Sequence, residues 1–139
     1  MTDAIATPRT QGAHHIGLTV PDLSATKTFF IDTLGFSQLG EVPDYPAVFL
    51  SDGITMITLW QVSNASAAKP FDRKNVIGLH HLALKVHDAE ALASLHETLK
   101  RTAGVTIEFA PEPLGGGKTQ HLMCAIPGGI RVEFIAPAA

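Results

Sequence analysis

Cysteine is nearly absent from this sequence, which has one, Cys124, among 139 residues. A single thiol cannot close a disulfide within the chain, and it cannot build a cysteine-rich zinc site. Aromatic residues make up 6% and charged residues 17% of the chain, whereas hydrophobic residues make up 45%. This composition excludes a disordered chain or a coiled coil, and it is typical of one globular domain.

Positive charge is also scarce, since ten Lys and Arg residues stand against thirteen Asp and Glu residues and give a formal net charge of −3. Such a chain has no basic surface to hold a nucleic acid backbone or an anionic membrane. No apolar run approaches the roughly 18 residues that span a bilayer, and the first residues do not resemble a secretion signal. We therefore expect a cytoplasmic protein whose partner is a small molecule, with no nucleic acid and no membrane.

The two halves of the chain resemble each other. His14–Val20 and His80–Val86 each begin with a His pair, alternate apolar residues and lead into an aspartate, and corresponding positions are 66 residues apart. Self-similarity of this kind indicates a duplicated structural unit. We assign a single domain with a first module at about 12–62, a linker at about 63–77 and a second module at about 78–136.

Each half has the same predicted order of elements. An alternating strand comes first, and an amphipathic helix follows, capped by Asp22 and ended by Gly35 in the first half, and capped by Asp88 and ended by Gly104 in the second. Further strands are predicted at 47–50, 55–62, 105–109, 121–126 and 130–135. The order predicts an α+β fold of two βαβββ units.

Alternation along the strands places several polar side chains on one face of each sheet. His15 and His81 have the parity opposite to the apolar residues of their strands, so both should point away from the helices. Glu133 has the same parity in the last strand, and His121 and Met123 have it in the strand before. Two imidazoles and a carboxylate are a ligand set for Fe(II), Mn(II), Zn or Ni.

An ordinary polar role is the alternative for these histidines, because most His residues in strands bind no metal. The repetition favours metal binding, since two His occupy equivalent positions of a duplicated unit and a Glu lies on the same face. His14 and His80 fall on the other parity, and we interpret them as structural or exposed.

Several segments resemble the vicinal oxygen chelate superfamily, which includes glyoxalase I, bleomycin and fosfomycin resistance proteins, methylmalonyl-CoA epimerase and extradiol dioxygenases. His14–Leu23, with Phe29-Phe30 and Leu34-Gly35-Phe36, is similar to the opening module of that superfamily. Gly78–Ala83 and Pro127–Phe134 are similar to the first and last strands of its second module. The likeness covers nearly the whole chain.

The resemblance implies that the two βαβββ modules form a cup-shaped open barrel around a divalent metal, which could be Fe, Mn, Ni, Zn or Co. The ligands of metal-dependent members match His15, His81 and Glu133. Relatives of this length are usually homodimers, so the resemblance implies His15 from one chain and the other two ligands from its partner. A cup closed within one chain is the alternative.

The sequence differs from the superfamily pattern at the position of the fourth metal ligand, which is Glu in glyoxalase I and Gln in the epimerase. The equivalent position here is Thr58, a poor ligand, and Gln61 is out of parity. The second carboxylate of the epimerase is also missing, since 47–50 contains no acid. These departures weaken the glyoxalase and epimerase interpretations and leave a three-ligand site.

The resulting hypothesis is a metal-dependent lyase, isomerase or dioxygenase acting on a small substrate with oxygens on adjacent atoms. His121 and Glu133 are the candidate catalytic residues, His121 as acid or base. The substrate pocket is predicted to include Thr58, Trp60, Met123, Arg131 and Lys118, the last in a glycine-rich loop. The alternative is a metal-free binding protein of the drug-resistance type.

Overall fold

The first half of the chain forms a strand, a helix and three more strands. The computed structural model describes residues 7–138. The elements are β1 (His15–Val20), α1 (Leu23–Thr28), a π-helical continuation (Phe29–Thr33), β2 (Ser37–Val42), β3 (Ala47–Ser51) and β4 (Met56–Gln61). The sheet has the order β1-β4-β3-β2, in which β1 and β4 are parallel and the other neighbours are antiparallel.

The second half repeats this arrangement after a connecting segment that contains a 3₁₀ turn (Ala65–Ala67). Its elements are β5 (Leu82–Lys85), α2 (Ala89–Lys100), β6 (Thr106–Pro113), β7 (Gln120–Ala125) and β8 (Arg131–Ala136). The sheet order is β5-β8-β7-β6, with β5 and β8 parallel. The predicted α+β fold of two βαβββ modules is confirmed.

Both predicted helix starts are confirmed by their caps. The Asp22 carboxylate accepts the Ala25 backbone N–H at 3.1 Å, and the Asp88 carboxylate accepts the Ala91 N–H at 2.8 Å. Each cap satisfies an N–H that lacks a partner within the helix. α2, with 12 residues, is the longest described helix, and no described helix is long and apolar enough to cross a bilayer.

Three details differ from the prediction. The first helix widens to a π-helix over its last turn, Phe29–Thr33. β2 was not singled out, because Ser37–Val42 is mostly exposed, contains a register shift and lacks an alternating apolar pattern. The first strand of the second module begins at Leu82, so His81 precedes β5 and lies where the chain enters the sheet.

One hydrophobic cluster extends across both modules and includes side chains from both sheets and both helices. A polar contact joins the modules inside it: the fully buried Thr26 of α1 donates its hydroxyl to the Pro127 carbonyl at 2.9 Å. Pro127 belongs to the turn between β7 and β8, so α1 packs against the second module as well as its own sheet.

Cys124 should resist thiol reagents in the folded protein. Its side chain is buried in the core, and burial, with a smaller contribution from the Glu108 charge, raises the pKa of the thiol to about 12. Because only the thiolate reacts, we expect a disulfide reagent such as DTNB to label Cys124 only after unfolding in denaturant. Labelling of the native protein at the rate of a free thiol would contradict this placement.

Candidate metal and substrate site

Glu133 is a buried acid in β8, and its two neighbours in the strand are apolar core residues. Val132 and Phe134 are 0% and 2% exposed in the hydrophobic cluster, and Glu133 is 7% exposed on the opposite face of the sheet. A buried carboxylate is costly unless charged or hydrogen-bonding groups surround it. The structure supplies two imidazoles for this purpose, one for each carboxylate oxygen.

The first imidazole belongs to His121 in β7, the strand next to β8. His121 Nδ1 donates to Glu133 Oε2 at 2.5 Å, and the His121 residue is 9% exposed. The Phe109 ring packs on the His121 imidazole with a centroid separation of 4.8 Å. The Nε2 atom of His121 lies 4.0 Å from the exposed Glu112 carboxylate. His121 is therefore held at Nδ1 by the Glu133 carboxylate.

The second imidazole belongs to His81. Its Nε2 lies 3.2 Å from Glu133 Oε1, and its Nδ1 lies 2.8 Å from Nδ1 of His80. The first distance is that of an ion pair or a long hydrogen bond, and imidazole nitrogen and carboxylate oxygen are donor types that divalent metals accept. His81 and His121 thus both contact Glu133, one at each carboxylate oxygen.

His15 is not in contact with this cluster. It lies in β1 of the other sheet, and its imidazole contacts His14, with an Nδ1 to Nδ1 distance of 2.9 Å. Within residues 7–138, no three His, Cys, Asp or Glu side chains form a metal-holding group. The ligand set of His15, His81 and Glu133 therefore stays a prediction.

Arg131, predicted as a pocket residue, is engaged by another acid. Its Nε and Nη2 donate to the two carboxylate oxygens of Glu108 at 2.8 and 2.7 Å, and Arg73 adds a bond to the same carboxylate at 2.8 Å. The Arg131 hydrogen bond lowers the pKa of Glu108 and raises that of Arg131 itself. Two of the three guanidinium nitrogens are thus committed to protein contacts.

The remaining predicted pocket residues are spread over both modules. Met123 is buried directly opposite Glu133 in the β7–β8 ladder, so it lies beside the His121 and His81 cluster. Lys118 is exposed in the loop between β6 and β7. Thr58 and Trp60 lie in β4, on the face of the first sheet that points away from α1.

Thr58 and Gln61 both have structural partners. The Trp60 indole N–H donates to the Thr58 hydroxyl at 2.8 Å, and Thr58 is 3% exposed. Gln61 accepts the Leu23 N–H at 2.8 Å and donates to the Pro21 carbonyl at 2.7 Å, so it holds the start of α1. This contact confirms that Gln61 is out of parity with the predicted site.

We expect Thr58→Ala to leave metal affinity within about twofold of the wild-type value, because the hydroxyl is a partner of Trp60 and threonine is a poor metal ligand. The measurement is calorimetric titration of the metal-free protein with Co(II). Thr58→Val, which keeps the shape and removes only the hydroxyl, is the matched control for packing. Loss of metal binding in both variants would make Thr58 a ligand.

Sequence reasoning missed Glu108 and Glu112. The two acids lie in β6, whose pairing with β7 shifts register between Ile107 and Phe109 and again before Glu112. Register shifts break the strict alternation on which parity depends. No signal in the sequence marks those bulges, and proline at position 111 is the nearest hint of an irregular strand.

A cavity of about 610 Å³ lies outside the His81 and Glu133 cluster. It is bounded by β1, the connecting segment and the turn between β7 and β8, and its lining is mostly apolar. None of His81, His121 or Glu133 lines it. We therefore place the candidate chemistry at the polar cluster rather than in this cavity.

Paired βαβββ modules that carry imidazole and carboxylate groups on the sheet faces away from the helices define a recognisable class of protein. A family model described as Glyoxalase/Bleomycin resistance protein/Dioxygenase superfamily matches residues 12–134. The chain belongs to this superfamily, and the resemblance noted in the sequence is confirmed.

The following individual proteins resemble this chain at low sequence identity. A 2-epi-5-epi-valiolone epimerase from an Actinomyces species is 29% identical over 153 aligned positions, which cover 92% of this chain and 80% of the relative. A glyoxylase/bleomycin resistance protein/dioxygenase domain from a Frankia species is 23% identical, with a TM-score of 0.79 and coverage of 93% and 99%. A lactoylglutathione lyase from Agrobacterium tumefaciens is 20% identical, with a TM-score of 0.69 and coverage of 91% and 93%. The two structures share the fold.

Proposed function

We propose that this protein is a divalent-metal-dependent isomerase that moves a proton on a small substrate with oxygens on adjacent carbons. The observation that carries the proposal is the buried Glu133 carboxylate, which has His81 at one oxygen and His121 at the other. Superfamily membership and the similarity to an epimerase support the isomerase over the lyase and the dioxygenase.

His81 and Glu133 would hold the metal, and His15 would complete the ligand set. Fe, Mn, Ni, Zn and Co all accept this combination of nitrogen and oxygen donors. When bound, such an ion supplies Lewis acidity that polarises two neighbouring substrate oxygens and acidifies the C–H beside a carbonyl.

His121 is the residue that we assign to proton transfer. Its Nδ1 is fixed by Glu133, its ring packs on Phe109, and its Nε2 is the nitrogen left to accept or return a proton at substrate carbon. The carboxylate of Glu133 orients the ring and stabilises positive charge on it. Met123 supplies apolar wall beside this pair. Strand β3 contains no acid, so it offers no second carboxylate base.

We further propose that a second copy of the chain completes the site. The described part of one chain brings His81 and Glu133 together and leaves His15 on a separate sheet without forming a three-ligand group. A homodimer in which the first module of one copy faces the second module of the other would supply His15 to the pair. This arrangement also gives the unpaired edges of β1 and β5 a partner surface.

Solvent deuterium exchange tests the function. The protein, reconstituted with each candidate metal, is incubated in D₂O with a panel of small 2-hydroxyketones, including cyclic polyhydroxy ketones. We expect metal-dependent incorporation of deuterium next to a carbonyl, reduced about 100-fold or more by His121→Gln with metal content unchanged. Oxygen uptake with catechols in place of exchange would instead identify a dioxygenase.

A metal-free binding protein is the second candidate, and it is favoured by one observation: no three ligating side chains meet within residues 7–138 of one chain. A protein that sequesters a small molecule has no need of a complete ligand set. Metal analysis after reconstitution separates the two candidates. Less than about 0.1 equivalent of every tested ion would support the binding protein and reject the enzyme.

A further inference from the structure

We infer that the cavity of about 610 Å³ beside the connecting segment binds an amphipathic carboxylate, with an apolar chain on the cavity wall and the carboxylate at Lys69. The inference does not rest on the metal, because none of the four residues assigned to metal binding and proton transfer lines this cavity. Pockets that hold small molecules have volumes of roughly 300–1,000 Å³. The size of this cavity therefore suits a ligand of that class.

An apolar stretch of the connecting segment forms the wall of the cavity. Phe71 and Val76 are half-buried, Leu79 is 39% exposed, and Ile77 is fully exposed. Single apolar residues at a surface need no explanation, but these four line the same cavity. A ligand chain in the cavity would remove their side chains from water, which favours binding.

A turn at Asp72 holds this stretch in place. The Asp72 carbonyl accepts the Val76 N–H at 2.9 Å, and its carboxylate accepts the Lys74 N–H at 2.9 Å. In the same turn, Arg73 donates to Glu108 of β6 at 2.8 Å and fastens the segment to the second sheet. The wall is thus held by hydrogen bonds in the ligand-free chain, which lowers the cost of ordering it on binding.

The rest of the lining comes from both modules. β1 contributes Leu18, and the turn between β7 and β8 contributes Gly128 and Gly129. The two glycines have φ of +104° and +92°, a backbone conformation that other residues rarely adopt. The turn therefore borders the cavity without side chains that would fill it.

Lys69 supplies the charge of the cavity. Among the described residues that line it, Lys69 is the only charged one, and the others are apolar or glycine except for Thr19. Lys69 is exposed, so its ammonium group can meet an anion without itself being buried. An apolar wall with one exposed cation matches a molecule that has an apolar chain and a single negative group, rather than a polyol.

Isothermal titration calorimetry with decanoate tests the ligand class. We expect saturable binding of about one molecule per chain, with affinity falling about threefold for each methylene removed in the series down to hexanoate. Decyltrimethylammonium, which has the same chain and the opposite charge, should bind about fivefold or more weakly. Absence of saturable decanoate binding, or equal binding of the cation, would overturn the inference.

Two exposed isoleucines provide a matched pair of variants. Ile77 lines the cavity, whereas Ile54 is 94% exposed in the turn between β3 and β4 and does not line it. Ile77→Ala should weaken decanoate binding about fivefold or more, and Ile54→Ala should leave it within about twofold. Neither change should lower Tm, because neither side chain is in the core. Equal weakening by both would indicate adsorption to exposed apolar groups and reject the site.

Two lysines of the connecting segment test the charge. Lys69→Met keeps an unbranched side chain and removes the ammonium, so it should weaken decanoate binding about threefold at low salt and leave binding of decan-1-ol unchanged. Lys74→Met is the matched control, because Lys74 is exposed in the same segment but does not line the cavity. Equal effects of the two variants would reduce the contribution to net charge and reject the role of Lys69.

Two further measurements separate this site from the metal and from a second copy of the chain. Decanoate should bind with the same affinity with and without Co(II), and binding only in the presence of Co(II) would place the carboxylate on the metal and overturn the inference. Ligand-free Ile77→Ala should sediment as wild type does. A change in its oligomeric state would assign the apolar wall to a contact between chains and reject the small-molecule site.

The inference and the proposed function can fail separately. Decanoate binding with the expected variant pattern, in a protein that catalyses no deuterium exchange, would keep this site and reject the isomerase. Metal-dependent exchange in a protein that binds no decanoate would keep the isomerase and reject this site.

Discussion

Replacing Glu133 with glutamine should abolish stoichiometric binding of divalent metal while the protein stays folded. Glutamine keeps the size of the side chain and can still accept a hydrogen bond from His121, but it has no negative charge to bind a cation. Loss of partners around a ligand already costs 10 to 100-fold in affinity, so loss of the ligand itself should cost at least about 100-fold. Titration of the metal-free variant with Co(II) measures the affinity, and circular dichroism checks the fold.

Glu112→Gln is the matched control for that experiment. Glu112 is also a glutamate near His121, with its carboxylate 4.0 Å from Nε2, but it is exposed and is not part of the Glu133 pair. Its replacement should leave affinity within about threefold, since a solvent-exposed charge contributes little. If Glu133→Gln binds metal as tightly as Glu112→Gln does, Glu133 is not a ligand.

Mixing two variants that each lack one predicted ligand should restore metal binding. His15→Ala and Glu133→Ala chains each lack one predicted ligand, so neither homodimer has a complete set. After partial unfolding and reassociation, roughly half of the dimers should be mixed, and each should hold one complete site, which gives roughly a quarter of the wild-type metal content. Metal analysis of the reassociated protein, after removal of excess ion, checks this value.

His81→Ala mixed with Glu133→Ala is the control for the mixing experiment. These two ligands are predicted to come from the same module of one chain, so no mixed dimer can restore them as a pair. Metal content should remain at the level of the separate variants. Absence of recovery in the His15→Ala mixture as well, with reassociated wild type fully competent, would place all ligands within one chain.

Strand alternation describes β7 and β8 well, and the reason is local. β7 and β8 pair without a register shift from Gln120 to Ala125, so every second residue stays on one face. His121 and Met123 therefore reach the side of the sheet that simple parity assigns to them. The capping aspartates were equally predictable, because a cap needs contacts over only three residues.

Other parts of the site depend on features that a single sequence does not mark. Glu108 reaches Arg131 only because β6 contains bulges, and the contacts of His80 depend on how the chain enters β5 one residue later than predicted. Arg131 has the parity that places it on the same face as Glu133, but its guanidinium binds Glu108. Strand parity alone does not predict that contact. Whether His15 comes near His81 and Glu133 depends on assembly, which no local pattern encodes.

The contact between α1 and the β7–β8 turn bears on how a duplicated protein evolves. The buried Thr26 hydroxyl of the first half depends on a carbonyl in the second half. Gly128 adds a second constraint, because it has a φ of +104° and a Cβ added there would lie 3.1 Å from the Thr26 hydroxyl oxygen. A substitution at Thr26 or at Gly128 therefore has to be compatible with residues of the opposite half, so the two halves constrain each other's sequence at this contact.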